Sequence, residues 1–381
     1  MMRVKLKDLG VISTGNTPCK NVPEFYDSND IGFVKPDIIS DSQIDYIDVT
    51  QEYLSNSARN KARIVKKNTV FVTCIGSIGK VGIAQSSELA FNQQINAIAP
   101  NEKVVSKYLA YCIFANKKRL QTIANAPVVP IINKSQFGDF EIEIASEIEQ
   151  QEKIVKILDA VDKIIKLHKQ QLTKLDELVK ARFVEMFGDP ETNPKGFKKV
   201  LLSDIAEYFN GLTYSPDNVN SDGTIVLRSS NIQNSQLDFA DTVRVDCSIK
   251  EKLYVKDNDI LMCSRNGSAR LVGKVALIKN ITEPMSFGAF MMIIRSKYYS
   301  YLMTYFQMEA FRRQISTGAT TTINQITGNM LNKITLPLPD MSEAKQFAAF
   351  VEQVDKSKVA VQKALDEAQT LFDSLMQQYF G

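Results

Sequence analysis

At an offset of 193 residues the second half of this chain repeats the first, and any fold for it has to accommodate that repeat. Tyr108-Leu109 recurs as Tyr301-Leu302, Arg119 as Arg312, and Val161-Asp162-Lys163 as Val354-Asp355-Lys356. Leu172 and Leu178 recur as Leu365 and Leu371, and Phe187-Gly188 as Phe380-Gly381. Upstream the offset drifts by a few residues, as loops of unequal length require. Leu6-x-Asp8-Leu9 faces Leu202-x-Asp204-Ile205, Gly15 faces Gly211, Gly79-Lys80 faces Gly273-Lys274, and Ile132-Asn133 faces Ile323-Asn324. The chain reads as a tandem duplication.

Each copy has two parts. The first is mixed in character: short runs rich in Val, Ile and Phe (69–73, 80–84, 95–99) alternate with Gly, Asn and Pro, as strands and turns do, and a helical stretch follows at 106–123. The second is a long stretch without Pro or Gly, 147–187 and its echo 342–380. In the first stretch Val161, Ile165, His168, Leu172, Leu175, Val179 and Arg182 alternate in steps of four and three. In the second Val354, Lys358, Val361, Leu365, Ala368, Phe372 and Leu375 do the same, in register under the offset. That spacing draws a narrow stripe along a helix, which buries best against another helix with the same stripe. A helix of roughly 40 residues is about 60 Å long. Because one globule separates the two helices in sequence, an antiparallel intramolecular coiled coil is expected, with the copies related by a pseudo-twofold axis and His168 packed in the seam. The expected class is mixed α/β, two globules joined by two long helices. The segments are 1–145 (first globule), 146–187 (first helix), 188–200 (a linker rich in Pro, Gly and polar residues), 201–339 (second globule) and 340–381 (second helix).

Composition removes most catalytic classes. The single histidine, His168, leaves no Ser-His-Asp or Cys-His set and no His-ligated metal centre. Five cysteines without a C-x-x-C pair read as reduced thiols, so a cytoplasmic protein is expected. The longest purely apolar run (Tyr not counted), 289–294, is too short to cross a membrane, and the opening residues are not expected to form a signal peptide. Gly79-Lys80 and Gly273-Lys274 are each followed by Val, with no glycine five residues ahead, so neither is a phosphate-binding loop. The pattern is that of a binding protein.

The net charge of +3 is small, but the cations cluster. Arg59, Lys61, Arg63, Lys66 and Lys67 fall within nine residues; Lys117-Lys118-Arg119 and Arg312-Arg313 form a repeated site; Arg228, Arg244, Arg265, Arg270 and Lys274 run through the second copy. Such clusters suit a phosphate backbone, Arg suits guanine edges, and the amides of Asn92-Gln93-Gln94 suit adenine. Two similar but non-identical globules on a rigid rod match a duplex target with two unlike halves at a fixed separation.

The order of motifs resembles the specificity subunits of Type I restriction-modification systems over essentially the whole length. The residues that carry the resemblance are Leu6-Lys-Asp-Leu9, Gly15-Asn-Thr-Pro18, Phe33-Val-Lys-Pro-Asp-Ile38, the run Val70 to Gly82, and Phe91-Asn-Gln-Gln94. In the second copy they are Leu227-Arg-Ser-Ser-Asn-Ile232, Asp259 to Gly267, Val272-Gly-Lys274, Ile323-Asn-Gln-Ile326 and Leu336-Pro-Leu-Pro339. The first copy departs from the pattern with Ile142-Glu-Ile-Ala145 before its helix. The resemblance implies two target-recognition domains that each read half of a split DNA site. It implies a coiled coil that sets the spacer and helps dock two modification subunits, and it leaves room for restriction subunits to join. It places no cofactor in this chain: S-adenosylmethionine belongs to the modification subunits, and ATP and magnesium to the restriction subunits. No membrane partner is implied. The residues expected at DNA are Lys35, Arg59, Lys61, Arg63, Lys80, Gln93 and Gln94 in the first copy. In the second they are Arg228, Asn231, Arg265, Asn266, Arg270 and Lys274. Because Gly79-Lys80 and Gly273-Lys274 recur, they fit shared turn architecture as well as base reading. Two other readings remain at this stage, an orphan DNA binder without a methylation partner and a coiled-coil adaptor between proteins.

Overall fold

The computed structural model describes residues 1–86, 88–124, 129–316 and 325–381. It divides into two compact units, residues 1–169 with 363–381, and residues 170–362. Each unit therefore holds one globule and about half of each long helix.

The helices span Ile148–Phe187 and Met341–Phe380, equivalent residues under the repeat. The exchange of Ile142-Glu-Ile-Ala145 for Leu336-Pro-Leu-Pro339 therefore leaves the start of the helix in place. Ion pairs with the acid on the N-terminal side support both helices, Glu149–Lys153 and Asp162–Lys166 in the first and Glu352–Lys356 in the second. Gly188 ends the first helix with a positive φ of 73°, its N–H donating to the Val184 carbonyl at 2.8 Å.

In the first unit Ile154, Leu158 and Met376 are buried in one core, with Phe372, Leu375 and Phe380 against it. In the second unit Phe183 and Phe187 share a core with Phe347. The start of each helix thus lies beside the end of the other, so the pair is antiparallel. The four-three stripe is the inward one: Val161, Ile165 and Val354 are buried. Leu172, Leu175, Val179, Val361, Leu365, Ala368, Phe372, Leu375 and His168 are partly buried. Lys358, polar at a seam position, pairs with Asp176 of the other helix at 2.6 Å.

The core contacts are crossed between copies. Tyr108 stacks edge-on against Phe380 of the second copy's helix, centroids 5.3 Å apart, and Tyr301 meets Phe187 of the first copy's helix at 5.1 Å. Each tyrosine also holds the segment leading into its own copy's helix. The Ala145 N–H donates to the Tyr108 hydroxyl at 3.0 Å, and the Tyr301 hydroxyl donates to the Pro337 carbonyl at 2.5 Å.

The globules repeat the same sheets. In the first, strands run in the order Gly10–Thr14, Ile95–Pro100, Val70–Thr73, Val81–Ala84, with Asp45–Ile47 added parallel at the edge. In the second the order is Glu207–Asn210, Met291–Arg295, Ile260–Cys263, Val275–Leu277, without the added edge strand. A smaller sheet follows in each: Ile31–Val34 lies parallel to Leu89–Phe91, and Val219–Leu227 lies parallel to Met285–Phe287. An antiparallel ribbon then closes each globule beside its helix, Met2–Lys5 with Glu141–Ile144 and Lys199–Leu201 with Thr335–Pro337.

The copies diverge where globule meets helix. In the first unit the Gln151 side chain, fully buried, accepts from the Val105 N–H at 2.8 Å and donates to the carbonyls of Lys103 (3.0 Å) and Ala145 (2.8 Å). Lys107 is buried beside it, 4.5 Å from the Tyr46 ring and 3.8 Å from Asp159, and burial pushes its pKa down. In the second unit Ala344 and Ser300 stand at these two positions. A cavity of about 320 Å³ opens there, lined by Tyr298, Tyr299, Ser300, Ala344 and Ala348.

Candidate nucleic-acid interface

In each globule three loops are drawn together at one end of the larger sheet. In the first, Gly15 and Asn16 follow the first strand and donate to the carbonyls of Ile95 (3.1 Å) and Phe91 (3.0 Å), while the Cys74 N–H donates to Gln94 (2.7 Å). In the second, Gly211 and Leu212 donate to Met291 (3.2 Å) and Phe287 (2.7 Å), while the Ser264 N–H donates to Phe290 (3.0 Å). The backbones approach so closely that a Cβ on Gly15 would lie 2.2 Å from the Asn92 carbonyl oxygen. One on Gly211 would lie 2.1 Å from that of Gly288. Glycine is required at both positions for this reason.

Asn16 organises the first locus. Its amide nitrogen donates to the Lys61 carbonyl at 2.6 Å and its oxygen accepts from the Arg63 N–H at 2.7 Å. The neighbouring Thr17 hydroxyl donates to Oε1 of Gln93 at 2.7 Å. Lys61, Arg63 and Gln93 are all exposed, and they are brought together here. The other expected residues are engaged within the globule. Arg59 makes a bidentate pair with Glu88 at 2.8 and 2.7 Å, and that pairing lowers the Glu88 pKa and raises that of Arg59. Lys35 pairs with Glu52. Gln94 is partly buried and accepts from Asn92 at 2.9 Å. Lys80 turns inward and donates to the Pro36 carbonyl at 3.2 Å.

The second locus centres on Arg265, Asn266 and a residue the sequence reading did not single out, Phe290. Phe290 is 60% exposed, and the Arg265 guanidinium lies over its ring at 5.5 Å. Asn266 donates to the Ser229 hydroxyl at 3.3 Å, which draws the 228–231 loop to the same place. Arg270 is exposed, with no ion pair among the described residues. Arg228 pairs with Asp241 at 2.9 Å. Asn231, 1% exposed, uses both ends of its amide on its own loop: it accepts from the Arg228 N–H and donates to the carbonyls of Asp238 and Asp241. That leaves it neither donor nor surface for a ligand. Lys274 repeats the role of Lys80, donating to the Ile232 carbonyl at 3.0 Å. The glycines before the two lysines share a positive φ, 85° at Gly79 and 81° at Gly273. This geometry makes the repeated Gly-Lys pair a loop brace in both copies. Ile323 and Asn324, part of a quoted motif, lie outside the described residues, and the counterpart of Ile132 is Ile326 and not Ile323: the Ile132 N–H donates to the Cys74 carbonyl and the Ile326 N–H to that of Ser264.

Among the described residues there is no group of three or more His, Cys, Asp or Glu side chains placed to hold a metal ion. No described helix is long and apolar enough to cross a membrane.

The family model described as the Type I restriction modification DNA specificity domain matches residues 1–177 and again residues 194–368, once per copy. The MjaIX specificity subunit of a Type I restriction enzyme from Methanocaldococcus jannaschii is 29% identical over 227 residues, 54% of this chain and 52% of that protein. The MjaVIII specificity subunit from the same organism is 24% identical over 379 residues, 87% of this chain and 86% of that one. The EcoKI specificity subunit of Escherichia coli is 28% identical over 178 residues, 43% of this chain and 38% of that one. The match thus spans about half the length of the MjaIX subunit and less of the EcoKI subunit. Among solved structures, the S subunit of the Type-I restriction-modification system from M. genitalium aligns with a TM-score of 0.59 at 13% identity. It covers 100% of this chain and 96% of that one, a likeness of fold.

Proposed function

The chain belongs to the Type I restriction-modification DNA specificity family, and from that premise we propose that it reads one split, asymmetric DNA site, each globule reading one half. The observation that carries this is that the family match occurs twice, and that each copy assembles the same three-loop end with different side chains. Residues 1–145 and 201–339 act as the recognition domains, and 146–187 and 340–381 as the paired helices that fix the spacer, joined through 188–200. In the first half Lys61, Arg63 and Gln93 face DNA, and in the second Arg265, Asn266 and Arg270 do. Arg59, Lys35 and Arg228 reach phosphate only by exchanging a carboxylate partner for it.

Methylation of adenine is the work of two modification subunits, which bring S-adenosylmethionine. Restriction subunits, with ATP and magnesium, join them where the system cleaves. Ile157, Ile164 and Leu167 support such docking: they are 43–48% exposed on the first helix, at positions off the four-three seam. Their spacing of seven and three is that of a second helical stripe. An apolar stripe facing water on a helix whose seam is already filled suits a further helix from another subunit. The complex acts on chromosomal DNA in the cytoplasm.

The test is a long-read map of N6-methyladenine in the source cell with and without this gene. Loss of methylation at one split motif, with both halves and the spacer visible at once, is the expected result. An unchanged map in cells that express the protein refutes the reading.

A further inference from the structure

The duplication places one turn, with one set of backbone hydrogen bonds, in both globules and loads it with opposite chemistry. In the first globule the turn is Phe91-Asn92-Gln93-Gln94-Ile95; in the second it is Phe287-Gly288-Ala289-Phe290-Met291. The matched bonds described above set Asn92 against Gly288, Gln93 against Ala289 and Gln94 against Phe290. Three side-chain amides in one copy are replaced by none in the other. Across from the turn, the residue after Cys74 is Ile75, and the residue after Ser264 is Arg265; each forms an isolated bridge to the equivalent neighbouring segment, Ile75 with Ile131 and Arg265 with Gln325. At this one position the cation is therefore present in the copy whose turn is apolar and absent from the copy whose turn carries amides, where Lys61 and Arg63 reach the same locus from another loop.

We infer that this turn and the residue across from it form a base-reading element in both copies, and that their side chains set the letters read. This rests on the proposal that the globules bind DNA. In the first half-site Gln93 reads an adenine. Its Oε1 is already held by the Thr17 hydroxyl, which fixes the plane of the amide while Nε2 and the second lone pair of Oε1 stay available. One donor and one acceptor in a plane are what N7 and the N6 amino group of adenine require in the major groove. In the second half-site Arg265 reads a guanine through O6 and N7, and Phe290 contacts the methyl of a neighbouring thymine. Phe290 has a second duty as a positioning residue: its ring lies under the guanidinium at 5.5 Å and restricts a flexible side chain before DNA arrives.

The experiment uses the assembled methyltransferase and duplexes carrying the motif found in the methylation map. Deoxyuridine in place of thymine removes one methyl group and no hydrogen-bonding atom. Substitution at one thymine of the second half-site should weaken binding by the wild-type complex, and F290A should bind the thymine and uracil duplexes alike. Arg265→Ala should weaken discrimination at one guanine of that half on the order of tenfold to a hundredfold, with the first half read as before. Gln93→Ala should do the same at one adenine of the first half only. Phe290→Tyr, which keeps the ring under the guanidinium, should retain guanine discrimination that Phe290→Ala loses. All these side chains are exposed, and intact reading of the other half-site certifies folding within the same assay. The inference is overturned if no uracil substitution in the second half-site alters wild-type binding, or if the three alanine variants leave their half-sites read as in the wild type. A complex that methylates no split motif at all refutes instead the proposal on which the inference rests.

Discussion

Gln151→Ala is the sharpest test of how the first globule is fixed to its helix. The side chain is wholly buried and makes three hydrogen bonds to backbone groups of Lys103, Val105 and Ala145. Each is a neutral bond with a net worth of about 0.5–1.5 kcal/mol, so their joint loss is expected to cost about 3 kcal/mol. For a unit of this size that is a fall in melting temperature of about 6–12 °C. Because the chain divides into two compact units, a single transition is not assumed, and the local readout is hydrogen exchange at the Val105 amide. Its donor bond to Oε1 disappears in the variant, so its protection should fall by far more than that of amides in the 291–295 strand of the second unit. The natural control is Ala344, where the second copy already lacks the glutamine; Ala344→Gly should leave Val105 untouched. An unaltered exchange rate at Val105, or equal losses in both units, would falsify the clamp argument.

Three further outcomes follow from other parts of the structure. Arg295→Leu strands Asp259, 1% exposed and otherwise bound bidentately at 2.7 Å, and should destabilise the second unit by about 3–5 kcal/mol in denaturant titration; adding Asp259→Asn should recover part of this. Lys61→Ala with Arg63→Ala should reduce the slope of log binding constant against log salt by about two, and an unchanged slope would remove both residues from the phosphate contacts. Burial pushes the Cys74 thiol up to about 12 and raises those of Cys112 and Cys263. Above about pH 8.5 the unfolded thiols lose protons that the folded ones keep, so stability should fall as pH rises from there. Melting temperatures that stay flat between pH 8 and 10.5 would contradict this.

The helices were legible because their information is local and periodic. The four-three spacing names the inward face without reference to any partner, and the residues on it are the ones partly or wholly buried. Lys358 reads as an interruption of that stripe. Its partner Asp176 belongs to the other helix, and no local pattern connects the two. The loop residues were far less legible. Lys80, Lys274 and Asn231 are polar residues in loops and look like ligand contacts in sequence, yet each satisfies backbone groups of its own globule. The acceptors of the two lysines lie 44 and 42 residues away in sequence, whereas those of Asn231 lie within its own loop. Phe290 had the opposite fate. It stands near the start of the apolar run 289–294, but the strand begins only at Met291, so the turn before it leaves Phe290 in water. Asn16 was visible merely as the residue after a repeated glycine, although it sets the position of Lys61 and Arg63.

The crossed contact of Tyr108 with Phe380 bears on how the protein is made. A ribosome delivers the first globule early, but its core also includes Met376 and is covered by Phe372, Leu375 and Phe380. The second globule takes Phe183 and Phe187, which have already been synthesised when it emerges. During translation the later-made globule can therefore complete its core first, while the earlier-made one waits with an apolar face uncovered until the last turns of the second helix appear. Loss of residues 363–381 would injure the earlier-made globule and spare the later-made one. Until then the nascent first globule carries exposed apolar surface, the state in which a chain is most prone to aggregate.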